Sequence, residues 1–77
     1  MKELLHHIIE GILGNDSFEI VEIVTNDRID LVVRVPKDTI GLVIGKQGSM
    51  IKAIRSLLRV KATLDQNLVY VNVEEQI

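Results

Sequence analysis

The chain has 77 residues, of which 47% are apolar and 26% charged, with a formal net charge of −2. That length accommodates one small domain with a modest core. It carries no cysteine, which excludes a disulfide framework, a thiolate metal site and a cysteine nucleophile.

The elements can be taken in chain order. Leu4, Leu5, Ile8, Ile9, Ile12 and Leu13 recur at helical spacing, which predicts an amphipathic helix over 2–13, stopped at Gly14-Asn15. The N-terminus has no small-residue cleavage site after an apolar run, so a soluble, cytoplasmic protein is expected. Phe18 to Thr25 is rich in β-formers, and the Ile20-Val21 pair, breaking the alternation, is expected to mark a bulge. After an Asn26-Asp27 turn, Ile29, Leu31, Val33 and Val35 alternate with Asp30, Val32 and Arg34, a strand with one buried face that Pro36 ends.

Asp38 is expected to cap a short helix running to about Ile44. Gly45-Lys46-Gln47-Gly48 interrupts it, and a second helix follows from about Ser49 to Val60, with Met50, Ile51, Ile54, Leu57 and Leu58 expected inward. Asp65-Gln66-Asn67 is a turn, and Leu68 to Val73 a last strand with Val69, Val71 and Val73 on one face. The order helix, strand, strand, helix, helix, strand predicts an α+β fold, a three-stranded sheet with helices on one face. The apolar run Ile40–Ile44 is too short for a membrane span.

Charge is segregated. From Arg34 to Lys61 there are seven basic residues and one acid, Asp38; the rest of the chain holds two basic and ten acidic residues. Such a distribution can focus a positive field on one surface of an acidic molecule, although solvated helix faces give the same pattern.

The segment between the two short helices carries Gly41, Gly45 and Gly48, and a glycine inside a helix costs about 1 kcal/mol relative to alanine. Close approach of the backbone to a phosphate accounts for the glycines. They leave no side chain in the way, the helix beginning near Ser49 points free N–H groups at the loop, and Lys46 adds a cation. An ordinary helix–helix connector is the alternative for those four residues alone.

With its flanks, the segment Ile40-Gly41-Leu42-Val43-Ile44-Gly45-Lys46-Gln47-Gly48-Ser49-Met50-Ile51-Lys52-Ala53-Ile54 resembles the core pattern of KH domains, IGxxIGKxGxxIxxI. KH modules grip single-stranded RNA with a GXXG loop. The order of elements resembles the type II form of the fold, and the resemblance covers nearly all of 1–77, implying one KH domain. Length and start resemble the stand-alone bacterial KH proteins of the KhpA type. That resemblance implies a cytoplasmic RNA-binding protein and RNA chaperone. It also implies pairing as a homodimer or with a larger KH-containing RNA-binding protein, and an influence on cell elongation and cell-wall synthesis. Carried onto this chain, it implies contacts to RNA by Gly45, Lys46, Gln47 and Gly48. It places Gly41 and Val43 toward the nucleotide groove, Ile44 in the core, and the far wall of the groove at 62–67 and Leu68–Val73. Relatives often carry arginine after the second loop glycine; Ser49 stands there instead, removing a charge while offering a helix cap. Lys52, Arg55 and Arg59 share a helix face. They extend the cationic track or form the solvated side of that helix; solvation is favoured for Arg59 and RNA for Lys52.

Other chemistries fit poorly. A nucleotide-hydrolysing P-loop needs GxxxxGK and a following Ser or Thr, and both spacing and hydroxyl fail here. Adjacent His6 and His7 diverge by about 100° on a helix and cannot share a metal. Glu19 with Glu22 and Glu74 with Glu75 lack a nucleophile or base, so neither enzymatic activity nor a cofactor is expected. The rival reading is a protein-interaction module with little RNA affinity. Only Phe18 and Tyr70 are aromatic, and RNA binders often stack bases on aromatics. Val32, Leu68 and Tyr70 fall on the strand face opposite the core valines and form a candidate partner surface.

Overall fold

A computed structural model describes residues 1–76. The first helix, α1 (Lys2–Leu13), buries Leu5 and Ile9 completely and packs Ile8, Ile12 and Leu13 against the same core. Gly14 ends it in the left-handed conformation (φ 75°), its N–H donating to Glu10 O at 2.8 Å. At the other end, the Lys2 N–H donates to the Glu22 carboxylate at 3.2 Å, tying the first turn to the sheet.

Strands β1 (Glu19–Thr25) and β2 (Arg28–Val35) form an antiparallel hairpin, paired one to one from Glu19↔Arg34 to Thr25↔Arg28. The bulge expected at Ile20-Val21 is therefore absent. Ile20 faces the helices and is buried, whereas Val21 belongs to the opposite face of the sheet with Ile23. Apolar residues on both faces of the strand, not an extra residue, produced the broken alternation.

Ile29, Leu31, Val33 and Val35 of β2 are all buried, as a half-buried strand requires. After β2 the chain turns at Pro36, whose carbonyl accepts from the N–H groups of Thr39 and Ile40 and from Thr39 Oγ1. Thr39, not Asp38, holds the N-cap position of α2 (Ile40–Ile44), and Asp38 is exposed. The Pro36 carbonyl already organises the turn, so no carboxylate cap forms.

A single 3-10 turn (Lys46–Gly48) leads into α3 (Ser49–Leu64), four residues longer than predicted. Ile51, Ile54, Leu58 and Ala62 form its buried face. Met50 and Leu57, expected inward, are exposed at 38% and 59%. The core face is filled by residues spaced three and four apart from Ile51, and Met50 and Leu57 sit on a different side of the helix.

Strand β3 (Leu68–Glu75) lies parallel to β2, giving the order β1-β2-β3 with β3 at an edge. Val71 is buried and Val69 and Val73 pack on the core, on the helix side. Arg28, Asp30, Val32 and Arg34 with Leu68, Tyr70, Asn72 and Glu74 form the open face. The structure is thus the expected α+β type: a mixed three-stranded sheet with helices on one side. No helix among the described residues is long and apolar enough to cross a membrane.

Candidate nucleic-acid interface

The connection between α2 and α3 is built from torsions that most residues avoid. Gly45 has φ 77° and ψ 172°, a region that is essentially glycine's alone. Gln47 (φ 57°) and Gly48 (φ 76°) are both left-handed. The Gly45 N–H closes α2 on Gly41 O at 2.8 Å, and the Gly48 N–H donates to Gly45 O at 3.1 Å. The loop is therefore a tight, internally bonded corner that pushes Lys46 and Gln47 into solvent.

The three glycines answer to different demands. A β-carbon on Gly45 would meet Met50 Cβ at 2.6 Å and Met50 N at 2.7 Å, so both torsion and space require glycine there. On Gly48 a β-carbon meets only Ile51 Cγ2, at 4.0 Å, so torsion alone requires it. Gly41 sits in helix α2 without positive φ, and a β-carbon there would meet nothing. The fold has no use for its smallness.

Ser49 does not cap α3. Gly48 occupies the cap position, and Ser49 already has helical torsions with its N–H on Lys46 O. No side chain caps the start of α3, where helix N–H groups ordinarily find a capping side chain. Val43, expected toward the groove, is completely buried in the core, and Ile44 is half-buried against it. The five-residue helix turns Gly41 and Leu42 outward instead.

Lys52 lies one turn beyond the loop, and Arg55 and Arg59 continue the same flank of α3 toward the edge of β3. Arg55 forks onto the strand: its Nε and Nη2 donate to Val71 O at 3.0 and 2.9 Å. Of the seven basic residues in the positive segment, Arg34 pairs with Glu74 and Lys61 with Asp65. Among the described residues Lys46, Lys52, Arg55 and Arg59 form no ion pair. The loop residues Gly45, Lys46, Gln47, Gly48 and Ser49 are thus brought together at one end of a cationic flank, with Gly41 beside them on α2 and Lys52 on α3.

The sequence placed Lys52, Arg55 and Arg59 on one helix face, open to either a cationic track or a solvated side. In the structure all three lie beside the buried stripe of Ile51, Ile54 and Leu58. No group of three or more potential metal-ligating side chains occurs among the described residues.

A family model described as "KhpA/KhpB, KH domain" matches residues 2–73. No curated protein matches the chain.

Proposed function

The chain belongs to the KhpA/KhpB KH-domain family, and from that premise we propose that it grips the sugar–phosphate backbone of single-stranded RNA with the Gly45–Gly48 loop. An RNA-binding role is what the family carries. The observation that supports this loop is the uncapped start of α3 beneath an exposed Lys46-Gln47 tip. Helix N–H groups, the positive end of the helix dipole and a mobile ammonium converge where a phosphate would sit. Gly41 leaves a bare patch of backbone beside it, and Lys52 extends the positive charge along α3.

The test is Lys46→Asp with Gln47→Asp. Aspartate tolerates the left-handed torsion at 47 better than most residues, so the fold is expected to survive. Single-stranded RNA affinity should fall at least tenfold, with an unchanged melting temperature. A folded double variant with wild-type affinity sinks the assignment.

A second reading concerns assembly, and a different observation favours it. Met50, Ala53, Leu57, Val60 and Leu64 are exposed on α3 at alternating spacings of three and four. This is the seam pattern of helices that pair side by side. The sheet surface around Val32, Leu68 and Tyr70 is interrupted by Arg28, Asp30 and Arg34, so the α3 stripe is the better candidate. One KH unit spanning 1–77 holds about four nucleotides. Pairing two such units, in a homodimer or with a larger KH protein, raises avidity through effective concentration. A weak, sequence-tolerant grip doubled in this way suits an RNA chaperone.

A further inference from the structure

The sheet has two outer edges, β1 and β3, and they differ. On β3 the Arg55 guanidinium takes the Val71 carbonyl, at 3.0 and 2.9 Å. The edge of β1 carries no such guard. Its hairpin with β2 closes over Asn26 and Asp27, between the paired Thr25 and Arg28. A two-residue loop makes the closing pair a hydrogen-bonded one, and bonded pairs then alternate along the ladder. Glu19, Val21, Ile23 and Thr25 therefore direct their N–H and C=O groups to β2, whereas those of Ile20, Glu22 and Val24 point away from the sheet. Among the described residues, none of these outward backbone groups has a hydrogen-bond partner, and the Glu22 side chain alone is engaged, by the Lys2 N–H. An open edge of this kind is a template for another strand.

The surroundings select the occupant. Ile23 and Val24 are 53% and 61% exposed, so the strand offers apolar surface on both of its faces. Residues 1–27 carry one basic side chain, Lys2, and six acidic ones. Among the described residues none of those six acids forms an ion pair. Glu19 and Glu22 stand on β1 itself. Glu10 lies one helical turn from His6, whose ring packs on Phe18 just before β1, at 4.8 Å between centroids. This acidic side repels phosphate, and a grip on RNA leaves it unused. A second copy of the chain is a poor occupant. Full antiparallel overlap of two β1 strands sets the two copies of Glu22 directly opposite each other, where like charges destabilise.

We propose that the outer edge of β1 takes an extended basic segment of a partner protein as a fourth strand. Main-chain bonds to Ile20, Glu22 and Val24 supply the affinity, and side-chain alternation supplies the preference. Lysine or arginine opposite Glu22 lies on the helix side, where the carboxylate stands. The alternate residues lay β-branched side chains beside Val21 and Ile23 on the open face. A basic segment that is disordered when free suits this edge, because its own backbone groups are unpaired until it docks. The edge lies across β2 from β3 and the cationic flank of α3, so the proposal is independent of the loop assignment.

The probe is a labelled, end-blocked peptide of alternating valine and lysine, long enough to cover β1, with a control carrying glutamate in place of lysine. The full chain is titrated into each, and binding is followed by anisotropy. Amide hydrogen exchange of the protein is read by NMR with and without saturating peptide. The lysine peptide should bind and the glutamate peptide should not. Exchange should slow at Ile20, Glu22 and Val24, and change little at Val21 and Ile23, which β2 already protects. Glu22→Gln keeps an acceptor for the Lys2 N–H and should weaken the lysine peptide about fivefold. Val24→Pro removes one outward donor at a position where an edge strand tolerates proline, and should weaken it further at an unchanged melting temperature. Should that variant unfold, Glu22→Gln and the wild-type exchange pattern decide the matter. No binding at millimolar protein, equal binding of both peptides, or binding without slowed exchange at Ile20, Glu22 and Val24 overturns the proposal. Slowing of those amides in the protein alone as its concentration rises gives the edge to a second copy, and overturns it too.

Discussion

Gly45 and Met50 are packed so closely that a β-carbon on the glycine would lie 2.6 Å from the methionine's own β-carbon. The contact joins the end of α2 to the first turn of α3, so the shape of the loop is locked by backbone rather than by side chains. Gly45→Ala therefore meets a collision and a torsion that alanine avoids. The strained torsion alone costs about 1–3 kcal/mol. In a domain of this size that corresponds to a melting-temperature drop of roughly 4–8 °C per kcal/mol. Thermal unfolding followed by circular dichroism checks it, and a variant as stable as wild type contradicts the packing described.

Gly41→Ala should behave in the opposite way. Nothing stands within 4 Å of the added methyl group, and alanine in place of a helical glycine gains about 0.5–1 kcal/mol. Melting temperature should stay level or rise, while single-stranded RNA affinity falls several-fold because the methyl group sits on the bare backbone beside the loop. Equal affinity would show that the strand does not approach α2.

Leu57 lies at the centre of the exposed α3 stripe. Light scattering on the wild type at micromolar concentration should give about twice the 8.7 kDa chain mass, and Leu57→Glu should return it to the monomer value with unchanged circular dichroism. A buried carboxylate without a partner is costly at such a seam. Monomeric wild type that also ignores a partner KH protein rejects pairing, and a dimer insensitive to Leu57→Glu moves it to the open face of the sheet.

The Asp30 carboxyl is held below its ordinary value by the hydrogen bond from Arg28, which outweighs the opposing desolvation, with the charge of Arg28 adding a lesser lowering. A carboxyl depressed in the folded state stabilises the protein above its unfolded pKa, about 3.9. The contribution is lost as pH falls through the folded value. The melting-temperature advantage of wild type over Asp30→Asn is thus expected at neutral pH, and should shrink as the solution is acidified below about pH 4. Because the pair is exposed, the advantage should be small and should weaken with salt. An equal difference at pH 3 and pH 7 rules the linkage out.

The elements were legible because their cues are local. Gly14 stops α1 as its sequence suggested, and Ile29, Leu31, Val33 and Val35 announced a strand buried on one face. The α+β architecture followed from the element order, and the type II KH form from the resemblance of that order and of Ile40–Ile54 to KH domains. What could not be read locally was which of several apolar residues the helices would cover. Val43 rather than Ile44 takes the innermost place, and α3 carries apolar residues on two sides, of which Ile51, Ile54, Leu58 and Ala62 are the buried ones. The Arg55 fork onto Val71 joins residues 16 apart, and it depends on an edge that exists only after β3 has docked. The Gly45 collision with Met50 was hidden for a similar reason: spacing reveals a turn but not how tightly it closes.

The parallel pairing of β2 with β3 has a consequence for how the chain reaches this state. Every partner pair, from Arg28↔Leu68 to Val35↔Glu75, spans 40 residues, whereas the β1–β2 hairpin turns over Asn26-Asp27. As the polypeptide emerges from the ribosome, the hairpin and α1 can form early. The central strand, however, keeps one whole hydrogen-bonding edge unsatisfied until Leu68–Glu75 arrives. Long-range pairing of this kind is slow relative to local structure. The interval leaves Leu31 and Val33 beside an open edge, a window in which a nascent chain is exposed to wrong partners.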